Sequence, residues 1–169
     1  ISLDLSPALH LIIVGDGPER IRLETQAKTL GIGNVVEFAG NQKDVRRYLQ
    51  AADMFVLPSI TEGISNALLE AMAAGVACLA TPVGGNVEVL VQGKYGVLIP
   101  VGDIHAWAKA FTEIGNDPAL RAKLGQLARE RIFSQYDFNV VGAQYEALYT
   151  ELLGDVFGSY TNKVKHGNA

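Results

Sequence analysis

The stretch "HLIIVGDGPERIRLETQAKTLGIGNVVEFAG", His10 to Gly40, decides the fold. It opens with an aliphatic run, His10–Gly15, short enough for one strand, which "GDGP" then ends. Pro18 suits the first turn of a helix, where its missing N–H leaves no bond unmade. Ile21, Leu23, Ala27 and Leu30 recur at helical spacing, and Gly31 supplies a left-handed stop. "NVVEF" is a second strand. Two apolar strands bracketing one helix make a crossover unit, and such a crossover joins parallel strands.

The alternation continues downstream. "VRRYLQAA" predicts a short helix, "DMFVLPS" a third strand, "VACLAT" a fourth and "YGVLIP" a fifth, with a helical turn near Asn86–Val91. After Pro100 the pattern is wholly helical: Asp103 is placed to cap one helix, Pro118 to open a second, and "DFNVVGAQYEALYTELLGDV" forms a third. The fold class expected is α/β, a Rossmann-like parallel sheet with helices on both faces and a helical C-terminal extension. Neither a repeat nor a linker divides it, so residues 1–158 read as one domain and the polar run 159–169 as a disordered tail.

Composition narrows the function classes. With 169 residues, 49% hydrophobic and 19% charged, the chain can bury a core and is not a disordered polymer. A net charge of −4 argues against a nucleic-acid partner. No run reaches the about 18 apolar residues of a membrane span. The single cysteine, Cys78, lies within a strand pattern and reads as core packing in a reducing compartment. The chain enters almost directly into a strand and does not begin with Met, so it is expected to be part of a longer protein.

In an open parallel sheet ligands bind beyond the carboxyl ends of the strands. Three loops are expected there: Gly15–Pro18, Gly40–Asp44 and Ser59–Ser65. The third leads into "TEGISNALLEAMAAG", Thr61 to Gly75, where Glu70 interrupts an otherwise apolar helix and Glu62 precedes it by eight residues. With Ser65 as N-cap and about 100° per residue, Leu68, Leu69 and Met72 face the core. Asn66, Ala67, Glu70, Ala73 and Ala74 share the other side. A buried Glu70 needs either a hydroxyl-bearing ligand, such as a ribose, or an Arg or Lys of the fold. Gly63 is expected to turn with positive φ, and the amides from Ile64 to Ala67 to point out of the helix start, where phosphate binds well. Glu62 would then be either a ligand contact or a solvated loop residue.

"EGISNALLEAMAAG" resembles the Glu-x7-Glu signature of the family four glycosyltransferases, which have the two-domain GT-B fold. "VGDGPER", "VVEFAG", "AADMFVLPS", "ATPVGGNVEVL" and "YGVLIPVGD" follow the family's order at about its spacing, from about Leu9 to about Leu153. The form "EGISNALLEAMA" is similar to bacterial enzymes of exopolysaccharide and lipopolysaccharide synthesis. The resemblance implies the C-terminal, donor-binding domain of a retaining glycosyltransferase. Such an enzyme moves a sugar from a nucleotide-diphosphate sugar to a glycan or lipid-linked acceptor.

By that resemblance Glu62 is the catalytic residue, contacting hydroxyls of the transferred sugar. Glu70 binds the ribose, and Gly63, Ile64, Ser65 and Asn66 hold the diphosphate. Gly40, Asn41 and Gln42 lie near the base, supported by Gly15 and Gly17. No cofactor or metal is implied, and His10, His105 and His166 are scattered. Partners are the nucleotide sugar and an acceptor bound by an N-terminal domain outside this sequence, through which peripheral membrane association is expected. The implied location is the cytoplasm, at the inner face of the membrane.

The family's Arg and Lys on an earlier strand–loop unit find no match before Leu9, so this segment alone is expected to be inactive. Lys43, Arg46 and Arg47 read as a solvated helix face. Two further readings remain open: a catalytically inactive nucleotide-sugar-binding or scaffold domain, and a GT-B sugar-nucleotide epimerase. A Rossmann dehydrogenase fits worse, because Arg20 stands where a third glycine would be and no acidic residue closes the second strand.

Overall fold

Strand β1 (Leu11–Val14) runs parallel to β2 (Val36–Gly40), with helix α1 (Arg20–Thr29) connecting them. Their register pairs Leu11 with Val36 and Ile13 with Phe38, and an irregularity between Ile13 and Val14 brings Val14 opposite Gly40. This is the first crossover unit expected from the sequence. The computed structural model of the chain describes residues 9–165, with side chains as far as residue 154. Gly31, at φ 71°, follows the last turn of α1 in the left-handed region, where a residue with a Cβ is strained.

A second ladder follows. Helix α2 (Arg46–Ala51) leads to β3 (Met54–Leu57), which pairs in parallel with β4 (Ala77–Ala80), and β4 with β5 (Val97–Leu98). Helix α3 (Asn66–Ala74) joins β3 to β4, and the short α4 (Asn86–Leu90) precedes β5. Helices α5 (Ile104–Gly115), α6 (Pro118–Gln135) and α7 (Phe138–Lys165) complete the order. Asp103 caps α5 as expected, its Oδ1 accepting the Ala106 N–H at 2.9 Å.

The class is α/β, with parallel strands and helices between them. One detail differs from the single sheet expected: the strands form two ladders, β1–β2 and β3–β4–β5, with no strand shared. Apolar patterning marks a segment as strand but leaves its partner to long-range contacts. The consequence shows in burial. Leu11, Ile12 and Val14 of β1 are 42%, 46% and 37% exposed, whereas all four residues of β4 are fully buried.

The core therefore sits around β4. Ala77, Leu79, Ile99, Ala110 and Ile114 form one buried cluster, against which Trp107 and Phe111 of α5 and Leu120 and Leu124 of α6 pack. Each fully buried aliphatic side chain contributes about 1.5–3 kcal/mol. Cys78 is buried in the same strand, and burial pushes its thiol up to about 12.

The chain divides into two compact units after Arg129. In the second, α7 presents Tyr145, Leu148, Tyr149 and Leu152 as exposed side chains, with the two tyrosine rings stacked at 6.3 Å. The helix runs on through 159–165, the start of the segment expected to be a disordered tail, while 166–169 lie outside the described residues. No proline interrupts the sequence after Pro118, and an established helix extends at little cost. Among the described residues no helix is long and apolar enough to cross a membrane.

Two predictions follow from the core. Helix α6 passes so close to the end of α3 that a Cβ on buried Gly125 would lie 2.0 Å from the Gly75 carbonyl oxygen. Gly125→Ala is therefore expected to cost roughly 1–3 kcal/mol, read as a lower urea midpoint; an unchanged midpoint would refute the close approach. The Cys78 thiol should stay unlabelled by a disulfide reagent in native buffer and react only when denaturant opens the fold.

Candidate functional site

The carboxyl ends of β1 and β2 meet at two glycines. The Gly15 N–H donates to the Gly40 carbonyl at 2.9 Å, and both residues take positive φ, 121° and 66°. Beside them Arg20 ties α1 to β2: it donates to Glu24 at 2.8 Å, to Asp16 at 3.3 Å and to the Phe38 carbonyl at 3.2 Å. A Cβ on Gly40 would stand 3.2 Å from this guanidinium. Asp16 in turn accepts the Gly17 N–H at 2.8 Å, which closes the turn. Sequence reading weighed Arg20 only as a misplaced glycine; its place at the turn depends on the fold.

Downstream, Asn41 is exposed, whereas Gln42 folds back, donating to the Ala39 carbonyl at 2.6 Å and accepting from Arg47 at 2.8 Å. Arg46 grips both oxygens of Asp44 at 2.8 Å, holding that carboxyl well below the usual carboxylate range, at about 2. Lys43, Arg46 and Arg47 are all exposed, the solvated face expected of them.

The second group belongs to β3 and α3. Ser65 is the N-cap of α3, its hydroxyl accepting the Leu68 N–H at 3.4 Å, and Gly75 ends the helix at φ 78°. Leu68, Ala71 and Met72 are the buried residues, with Leu69 half-buried, so the core face is close to that predicted. Asn66 and Ala67 sit exposed at the first turn, and their N–H groups have no acceptor among the described residues. Gly63 and Ile64 are exposed just before the cap.

One condition weighed from the sequence is not met, and one expectation is corrected. Glu70 is exposed, so no burial penalty acts on it: its small neighbours Ala67, Ala73 and Ala74 do not cover it. It has no hydrogen bond or ion pair among the described residues. Gly63 does not take positive φ, whereas Gly84, in the turn packed against it, does, at 51°. Its missing Cβ leaves room for the Glu62 backbone, which would otherwise lie 1.9 Å away. The Glu62–Gly63 segment lies directly against that neighbouring turn.

That turn, Thr81–Gly85 after β4, is a fourth loop at the same edge, and the reading of loops from sequence did not include it. The signal for it was present: "TPVGG" directly follows the fourth aliphatic run. Glu62 itself is half-buried, its Oε1 accepting the Ser59 hydroxyl at 2.7 Å, and no cation pairs with it among the described residues. Together, the residues around α3 supply exposed amide donors at the helix start and two carboxylates, Glu62 before it and Glu70 one turn within it, that lack a cationic partner among the described residues. That arrangement suits a ligand carrying negative charge at one point and hydroxyls on either side. Among the described residues, three or more His, Cys, Asp or Glu nowhere gather in a metal-holding group.

Residues 2–131 match the family described as Glycosyl transferases group 1. The chain belongs to that family. It is 38% identical to N-acetyl-alpha-D-glucosaminyl L-malate synthase of Bacillus anthracis, a match covering 86% of this chain and 38% of that protein. It is 33% identical to the lipopolysaccharide core biosynthesis glycosyltransferase LpsE of Rhizobium meliloti, covering 82% and 41%. Among solved structures, sucrose-phosphate synthase from Thermosynechococcus elongatus superposes with a TM-score of 0.79 at 31% identity, over 89% of this chain and 40% of that one. Anabaena Alr3699/HepE, solved in complex with UDP-glucose, superposes with a TM-score of 0.79 at 25% identity, over 88% and 43%. The fold is that of one part of a GT-B glycosyltransferase, and the chain spans about two fifths of the length of these relatives.

Replacing Ser65 by Ala removes the N-cap and is expected to lower stability by about 1 kcal/mol; a melting temperature equal to that of the parent would show that the cap contributes nothing.

Proposed function

We propose that this chain is the nucleotide-sugar-binding part of a retaining glycosyltransferase that builds bacterial cell-surface polysaccharide. The observation that carries the reading is the start of α3. Unpaired N–H groups of Asn66 and Ala67 lie there between Glu62 and Glu70, neither of which has a cationic partner among the described residues. Membership of the Glycosyl transferases group 1 family supports it, as do relatives named for lipopolysaccharide and colanic acid synthesis and a structural neighbour solved with UDP-glucose.

In this reading the amides of Gly63 to Asn66 and the helix dipole receive the donor diphosphate. Their work is greatest as the glycosidic bond breaks, because charge then gathers on the leaving diphosphate and fixed donors need not reorganise to meet it. Glu70 accepts hydrogen bonds from ribose hydroxyls. Glu62, fixed by Ser59, accepts them from the sugar being transferred and orients it. Gly15, Gly17, Gly40, Asn41 and Gln42 form the base end of the site. The acceptor is a glycan or lipid-linked sugar, held by a domain outside this chain at the inner face of the membrane. No metal or organic cofactor enters the proposed step.

Each carboxylate is tested in the whole transferase. A charge-assisted hydrogen bond contributes roughly 1.5–3 kcal/mol, so Glu70→Ala and Glu62→Ala should each lower kcat/KM for the donor by roughly ten- to a hundredfold. Normal transfer by both variants refutes the site. Donor binding without transfer by the parent protein would favour the inactive binding domain instead.

A further inference from the structure

We infer that Thr81 and Ser59 are positioning residues for Glu62, acting from the turn that follows β4. The inference rests on the proposal that Glu62 contacts the donor sugar. Thr81 is buried, and its hydroxyl donates to the Ser59 carbonyl, with the Leu57 carbonyl 3.4 Å away. Its own N–H also donates to the Leu57 carbonyl, at 3.1 Å. Ser59, so fixed, donates its hydroxyl to Glu62 Oε1 at 2.7 Å. Asn86, fully buried, holds the other side of the turn by donating to the Thr81 carbonyl at 3.1 Å.

The turn also grips the Glu62 backbone. The Gly85 N–H donates to the Gly63 carbonyl at 2.7 Å. Cβ atoms on Gly84 and Gly85 would stand 1.9 Å from the Glu62 carbonyl oxygen and 2.7 Å from the Gly63 carbonyl oxygen, so the two segments touch main chain to main chain. Glu62 is thus held at its carboxylate through Ser59 and at its peptide through the glycine pair, both anchored on the buried end of β4. A loop glutamate held only by its own flanking residues would sample many rotamers. This one is constrained by a strand paired to its own, β4 against β3. A shift of about 1 Å in a group that orients a reactant can cost about a hundredfold in rate, which is reason enough for a buried hydroxyl where valine would fill the same space.

The test is a mutant cycle in the whole transferase: the parent, Thr81→Val, Glu62→Ala and the double variant, each with its kcat/KM for the donor. Thr81→Val should lower kcat/KM roughly ten- to a hundredfold in the parent but less than about threefold in the Glu62→Ala background, because its effect runs through the Glu62 carboxylate. Thr81→Ser, which keeps the hydroxyl, should restore most of the rate. Should Thr81→Val fail to fold, Ser59→Ala takes its place in the same cycle, since its hydroxyl donates to Glu62. An equal loss in both backgrounds would make the effect merely structural and overturn the inference. So would a parental rate for Thr81→Val and Ser59→Ala. A parental rate for Glu62→Ala removes Glu62 from the proposed site and the inference with it, and that outcome is recognised from the single variant without reference to Thr81.

Discussion

Where helix α3 begins is the constraint on which the candidate site depends. The helix is short, and it is fixed from both sides: Leu68, Ala71 and Met72 are wholly buried, and its last turn is stopped by the left-handed Gly75. Gly125 of α6 lies in direct backbone contact with that stop, so the C-terminal end cannot slide. A rise of about 1.5 Å per residue then fixes the distance from this anchor to Ser65. The exposed amides at the helix start inherit their position from packing on the far side of the molecule. Stability and site geometry are here one and the same set of contacts.

The two glutamates reach their places by different routes. Glu70 rides on the helix, so its Cα is as fixed as the core beneath it while its side chain remains in solvent. Glu62 stands on a loop with no helix to hold it, and the neighbouring strand takes over that task through Ser59, Thr81 and the Gly84–Gly85 pair. Gly84 in the left-handed region is the cost of bringing two backbones into contact. A group that must be oriented and a group that need only be present are thereby built in different ways.

Much of this was legible in the sequence, and what escaped has a common cause. Local chemistry announced itself: Ser65 and Asp103 cap helices, Gly31 stops one, and the spacing of Leu68 and Met72 marks the buried side of α3. Each depends on residues no more than about four apart. The relay from Thr81 to Ser59 bridges 22 residues and exists only because β3 and β4 pair in the register Leu57 to Ala80. Likewise the division into two ladders, the exposure of Glu70 and the close approach of Gly84 to the Glu62 backbone are decided by what lies opposite in space. A helical wheel places Glu70 opposite the core, but whether anything else covers it is a question of tertiary neighbours.

The ladder of β1 and β2 has one more implication. Among the described residues no strand pairs with β1 on the flank away from β2, and Leu11, Ile12 and Val14 of that strand are partly open to solvent. An extended polypeptide, whether a second molecule or a stray peptide, finds there both a hydrogen-bonding template and a greasy surface to lie against. Lysine or proline placed along that margin would be the natural way to keep the chain dispersed.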